Sequence, residues 1–143
     1  MAPPSRRFKP IQKLASHKER KAAAALGESL KQREAAQQRL DELREYHGEY
    51  LQRFASATRA GVSSRQIMEY QVFINKLEAA IAQQQEIVSR SQQDCDSSKA
   101  QWRGRYSKSK AVEHVVGRMQ RAERRDQERQ EQSESDERAQ RKR

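Results

Sequence analysis

Between Ser63 and Trp102 the sequence repeats itself every seven residues: Ile67, Ile74, Ile81, Val88, Cys95 and Trp102. A second series runs three residues behind it, through Tyr70, Leu77, Gln84, Ser91 and Ser98. An α-helix turns once per 3.6 residues, so two series spaced three and four apart draw one stripe down its side. Such a stripe is the seam of a helix packed lengthwise against another helix. Ser63 followed by Gln66 is the pairing that starts a helix, each side chain reaching the other's backbone N–H. The seam is dense and apolar near Ile67–Ile81 and thins beyond Gln84. A helix of this kind requires a partner, and the rest of the chain is read as supplying it.

The partner precedes it. From Ile11 to about Arg59 there is no proline, and Ala, Glu, Gln, Lys, Arg and Leu dominate, all strong helix formers. Apolar positions recur at spacings of three and four: Ile11, Leu14, Ala22, Ala25, Leu26, Leu30, Leu40, Leu43, Tyr46, Tyr50, Phe54 and Ala57. This helix would be roughly 70 Å long. Thr58 to Val62 is the turn, with Gly61 free to take the left-handed conformation that ends a helix. So short a link makes the two helices antiparallel neighbours. Positions summing to about 122 then face one another. Leu40 meets Ile81–Ala82, Tyr46 meets Lys76–Leu77, and Ala22–Ala25 meets Ser97–Ala100, beside Trp102. Trp102 is read as packing into that run of small residues.

The expected fold is all-α: a long antiparallel two-helix coiled coil. A loose basic arm covers residues 1–9, with Pro10 in the first turn of helix one. The hairpin covers residues 10–125, with helix one at about 11–58, the turn at about 59–63 and helix two at about 64–125. A charged, disordered tail covers residues 126–143, where no large apolar residue occurs. Composition agrees: 34% hydrophobic and 35% charged residues leave too little apolar surface for a thick core.

The formal net charge is +10, divided as +6 over residues 1–62, +1 over 63–106 and +3 over 107–143. The excess lies towards the chain ends. It suits an acidic protein surface, a nucleic acid or an anionic lipid, and does not choose among them. The single cysteine, Cys95, permits no intramolecular disulfide and fits a reducing compartment. No apolar run approaches the ~20 residues that span a bilayer. Ser5-Arg6-Arg7-Phe8-Lys9 is similar to a twin-arginine export signal, but no apolar stretch follows it. A cytoplasmic protein is expected.

Nothing in the chain assembles chemistry. His17, His47 and His114 are far apart, without a second ligand at helical spacing for a metal. Phosphate loops and nucleophile elbows are missing, and Cys95 sits in the seam. An enzyme is not expected, and no cofactor is implied. A binding surface is. Leu43, Tyr46, Tyr50 and Phe54 on helix one cluster with Tyr70, Phe73, Leu77, Ala80 and Ile81 on helix two. Phe73, Val72 and Ala80 fall outside the seam, so the apolar stripe is wider than one partner helix covers, as at an interface.

The segments Leu43-x-x-Tyr46-x-x-Glu49-Tyr50, Ala60-Gly61-Val62-x-Ser64 and Tyr70-Gln71-x-Phe73-Ile74-x-x-Leu77-Glu78-x-Ala80-Ile81-x-Gln83 resemble the FliJ family. FliJ is the small coiled-coil component of the bacterial flagellar type III export apparatus. The likeness covers about residues 11–106 and is strongest over 40–85. It implies an antiparallel hairpin similar to the central stalk of rotary ATP synthases. The end with both termini would enter the hexameric export ATPase FliI. The export gate protein FlhA would be a second partner, with the ATPase regulator FliH and export chaperones beyond it. The resemblance places the gate-binding surface on Arg39, Leu43, Tyr46, Tyr50, Phe73, Leu77, Ala80 and Gln84. The ATPase-facing set would be Arg6, Arg7, Lys9, Lys13, Lys18, Arg20, Lys21, Lys108 and Lys110. It also implies a site of action at the cytoplasmic face of the inner membrane. Two other functions suit the pattern: a basic coiled coil that binds nucleic acid, and a purely structural coiled coil that dimerises through the turn-proximal stripe.

Overall fold

The computed structural model describes residues 3–142. It contains two helices among them, α1 (Pro4–Ala60) and α2 (Ser64–Arg141). The residues group into two compact units. The turn unit is Ala25–Lys99, and the terminal unit is Met1–Ala24 with Ala100–Arg143. In both, α1 meets α2 in reverse order. Ser29 lies against Ser98 and Tyr50 against Phe73 in the turn unit. Ser5 lies against Glu123 and Glu19 against Trp102 in the terminal unit. The all-α helical hairpin expected from the heptads is therefore the fold.

The turn closes as its residues dictate. Gly61 has φ +85°, where an L side chain would be strained. Its N–H reaches back to the Thr58 carbonyl at 3.4 Å, and the Thr58 hydroxyl donates to the Phe54 carbonyl. Ser63 and Gln66 then cap α2 reciprocally. The Gln66 N–H donates to Ser63 Oγ at 3.3 Å and the Ser63 N–H to Gln66 Oε1 at 3.4 Å. Two backbone donors that the helix itself leaves unmatched are thereby satisfied.

Within the turn unit the protected positions of α1 alternate at intervals of three and four: Leu26, Ser29, Arg33, Ala36, Leu40, Leu43, His47, Tyr50, Phe54 and Ala57. On α2 they are Ile67, Tyr70, Ile74, Leu77, Ile81, Gln84, Val88, Ser91, Cys95 and Ser98, the two heptad series of the sequence. Leu40 and Cys95 are the most enclosed, at 4% and 3% exposure. The same rhythm holds in the terminal unit, where Ser5, Ala15 and Val116 are buried.

Much of this seam is polar, and among the described residues no buried side-chain nitrogen or oxygen lacks a partner. Cys95 Sγ donates to the Ser29 carbonyl at 3.1 Å, and the Ser29 and Ser98 hydroxyls are 2.9 Å apart. Gln84 donates to the Ala36 carbonyl at 3.0 Å. The Trp102 indole N–H donates to Glu19 at 2.9 Å. This corrects the reading of α1. Ile11, Leu14, Leu30 and Tyr46 are exposed and off the seam, whereas Gln12, Glu19, Ser29 and Arg33 occupy it. Heptad continuity with Leu40, Leu43 and Phe54 fixes which stripe faces α2. Hydrogen-bond partners on α2 make polar residues acceptable there.

Helix also extends beyond the expected bounds at both ends. α1 begins at Pro4, and Pro10 lies inside it, although a proline there forfeits the hydrogen bond to residue i−4. The reason lies on α2. One carboxylate, Glu123, accepts from the Ser5 N–H at 2.9 Å and from the Ser5 hydroxyl at 2.7 Å. A negative charge at a helix N-terminus, bonded to an otherwise unmatched N–H, stabilises the first turns. Arg6, Arg7 and Lys9 are thus carried on helix. At the other end α2 runs to Arg141, past the expected end at Arg125. Residues 124–142 are all exposed, so local pairs such as Gln132 with Asp136 at 3.2 Å support that helix alone.

Amide hydrogen exchange checks both ends. Residues 128–141 should exchange fastest within α2, and Ile74–Cys95 slowest. Glu123→Ala should remove protection over Arg6–Lys9 and leave the amides beyond Leu14 unchanged. Stability should fall by about 1 kcal/mol in Gly61→Ala, measured by urea denaturation.

Candidate functional site

Aromatic rings interlock across the two helices near the turn. Tyr46, Tyr50 and Phe54 stand one turn apart on α1, and Tyr70 and Phe73 oppose them on α2. The Tyr50 ring lies 4.2 Å from Phe73, 5.3 Å from Tyr46 and 6.4 Å from Tyr70, centroid to centroid. Phe54 pairs with Tyr70 at 5.6 Å, and Tyr46 meets Phe73 edge-on at 6.1 Å. The Arg53 guanidinium lies 5.3 Å from the Tyr50 ring centre. Tilted and edge-on contacts of this kind hold their rings beyond the gain from burial alone.

The eight residues expected to form a gate-binding surface fall into two groups. Arg39 and Tyr46 are exposed, and Leu43, Tyr50, Phe73 and Ala80 are half-buried. Leu77 is buried in the seam, and Gln84 is held by the Ala36 carbonyl, so these two support the surface from beneath. Phe73 is outside the heptad series yet leans on Tyr46 and Tyr50, so its position has a packing cause the sequence reading did not supply. The rings border a shallow depression of about 330 Å³ lined by Tyr50, Gln66, Glu69, Tyr70 and Phe73. Leu51 and Met68 are exposed apolar residues of the turn unit that the reading missed, and Val72, which it noted, is exposed as well. Leu51 and Met68 follow no heptad, which is why periodicity passes over them.

The terminal unit has the opposite character. Arg6, Arg7, Lys9, Lys13, Lys18, Arg20, Lys21, Lys108 and Lys110 all lie in it, and all are exposed. It contains 20 Lys and Arg against 9 Asp and Glu, whereas the turn unit contains 10 against 11. The whole positive excess of the chain therefore belongs to the unit with the termini. Lys110 is the engaged member of the set. Its Nζ donates to Glu113 at 3.2 Å and lies 5.6 Å from the Tyr106 ring centre. The hydrogen bond to Glu113, with its charge, raises the Lys110 pKa above the usual lysine value. Arg105, exposed on α2, is a further cation that the sequence reading did not include.

Among the described residues no group of three or more His, Cys, Asp or Glu side chains could hold a metal ion. Among the described residues no helix is long and apolar enough to cross a membrane. His47, in the seam, lies 3.3 Å from Glu78, with no third such group about it.

The family model for the flagellar FliJ protein matches residues 4–142. The chain belongs to the FliJ family. It is 30% identical over 112 residues to the flagellar FliJ protein of Escherichia coli (strain K12), covering 78% of this chain and 76% of that protein. Membership ties this FliJ-family protein to the flagellar export apparatus. The family match takes in Pro4 and the charged end of α2, well beyond the motif around the turn.

Two substitutions separate packing from surface in the aromatic cluster. Tyr50→Ala should cost about 2 kcal/mol, since three rings lose their neighbour. Tyr46→Ala, at a side chain 43% exposed, should cost about 1 kcal/mol or less. Urea denaturation of both variants gives the comparison.

Proposed function

We propose that this FliJ-family protein acts as a stalk-like coiled coil. It promotes assembly and activity of the export ATPase FliI and links it to the export gate protein FlhA. FliH and export chaperones are further partners, the latter through an escort role. The site of action is the cytoplasmic face of the inner membrane. Family membership supports the reading, and the partition of the side chains carries it: the positive excess lies in the terminal unit, and the interlocked aromatic cluster in the turn unit.

The partition suits two different contacts. An element turning within a ring of subunits must exchange contacts without a large barrier. Screened charge pairs provide that, since each contributes about 1 kcal/mol or less. Lys13, Lys18 and Lys21 on α1 with Lys108 on α2 would meet an acidic ATPase channel in this way. A lasting contact instead needs apolar anchors that exclude water. Tyr46, Tyr50 and Phe73, framed by Arg39 and Ala80, have that character and would meet the gate. Nucleic-acid binding fits less well, because five of the eight aromatic residues, and all of the interlocked ones, lie in the unit without excess positive charge.

ATPase and gate-binding assays on separate variants test the proposal. Lys13→Glu, Lys18→Glu and Lys21→Glu combined should abolish ATPase stimulation and leave binding to the cytoplasmic domain of the gate intact. Tyr46→Ala and Phe73→Ala should weaken gate binding by about tenfold or more while stimulation persists. Stimulation undiminished by the charge reversals would refute the ATPase contact. Gate binding indifferent to both aromatic substitutions would refute the other.

A further inference from the structure

The terminal unit contains a groove whose apolar rim none of the contacts above uses. Ile11 and Leu14 of α1 stand exposed beside it, at 48% and 54%, over the buried Ala15. Lys18 completes that side, and Arg105, Lys108 and Val112 of α2 form the other. Ile11, Leu14 and Lys18 follow the spacing i, i+3, i+7, as do Arg105, Lys108 and Val112. Two such stripes side by side form a row of hollows that receives the ridge of a third helix. The enclosed volume is about 80 Å³, comparable to one branched aliphatic side chain.

The charge around the groove has one sign. No acidic residue lines it, and the nearby acids are engaged: Glu19 accepts from the Trp102 indole and Glu113 from Lys110. Among the described residues Lys18, Arg105 and Lys108 form no ion pair. Exposed aliphatic side chains flanked only by cations are complementary to an apolar ridge flanked by carboxylates.

We infer that this groove docks an acidic amphipathic helix of a partner protein. One aliphatic side chain of the helix enters between Ile11 and Leu14, and its flanking carboxylates pair with Lys18, Arg105 and Lys108. The contact shares Lys18 and Lys108 with the proposed ATPase-facing set but depends on Ile11 and Leu14, which simple charge attraction does not require.

The test uses the full chain and a synthetic helix of about three heptads, with leucines along one stripe and glutamates beside them. Calorimetry measures affinity and stoichiometry, and circular dichroism confirms that each variant keeps its helix. The glutamate peptide should bind one to one. Leu14→Asp and Lys108→Glu should each weaken it by about tenfold or more, and Arg90→Glu in the turn unit should not. Equal binding of a peptide with lysine in place of glutamate would overturn the inference. So would indifference to Leu14→Asp, or binding to phosphatidylglycerol vesicles but not to the peptide. The readout is peptide affinity, so failure here is distinguishable from failure of the ATPase proposal, which is read in stimulation.

Discussion

The constraint beneath everything else is that a two-helix pair has only one seam in which to bury anything. Each helix covers the other along a single stripe, so few residues are enclosed. The protein meets this limit differently in its two units. In the turn unit, Ala36, Leu40, Ile74 and Leu77 bury aliphatic surface and the aromatic rings interlock across the helices nearer the turn. In the terminal unit Ala15 and Val116 are buried and two polar pairs join the helices, Ser5 with Glu123 and Glu19 with Trp102. Such pairs add little net stability, about 1 kcal/mol for each hydrogen bond. They penalise slippage strongly, because a one-turn shift would leave the seam donors and acceptors without partners.

The same limit releases side chains for contact with other molecules. Once the seam is filled, apolar residues at neighbouring positions have nowhere to hide. Tyr46 near the turn and Ile11 and Leu14 near the termini are of this kind. They differ in their company: Tyr46 lies among aromatic rings, Ile11 and Leu14 among lysines and arginines. The first setting favours a durable apolar contact and the second an acidic partner, on one architecture without a deep pocket.

The hairpin, its antiparallel sense and its turn were legible in the sequence, because heptad spacing, the glycine of the turn and the Ser63–Gln66 cap are local signals. The facing positions were legible to within a few residues for the same reason. The α1 seam was legible only in part. Reading apolar residues as buried selects Ile11, Leu14 and Leu30, yet the seam takes Gln12, Glu19 and Arg33. For Glu19 and Arg33 the partners are Trp102 and Gln92, 83 and 59 residues away in the chain. The start of α1 was hidden in the same way, since the residue that holds Ser5 is Glu123. The aromatic cluster was visible as a group. That Leu77 and Gln84 are spent on the seam, and that Phe73 rests on Tyr50, required the paired helices.

The central claim is that the two units serve two contacts of different physical kinds. Its most direct test is the salt dependence of both affinities, measured on the same full-length protein against the export ATPase and the cytoplasmic domain of the gate. Affinity for the ATPase should fall steeply as salt rises, because charges carry that contact, while affinity for the gate should change little. Equal slopes, or a steeper fall for the gate, would contradict the account.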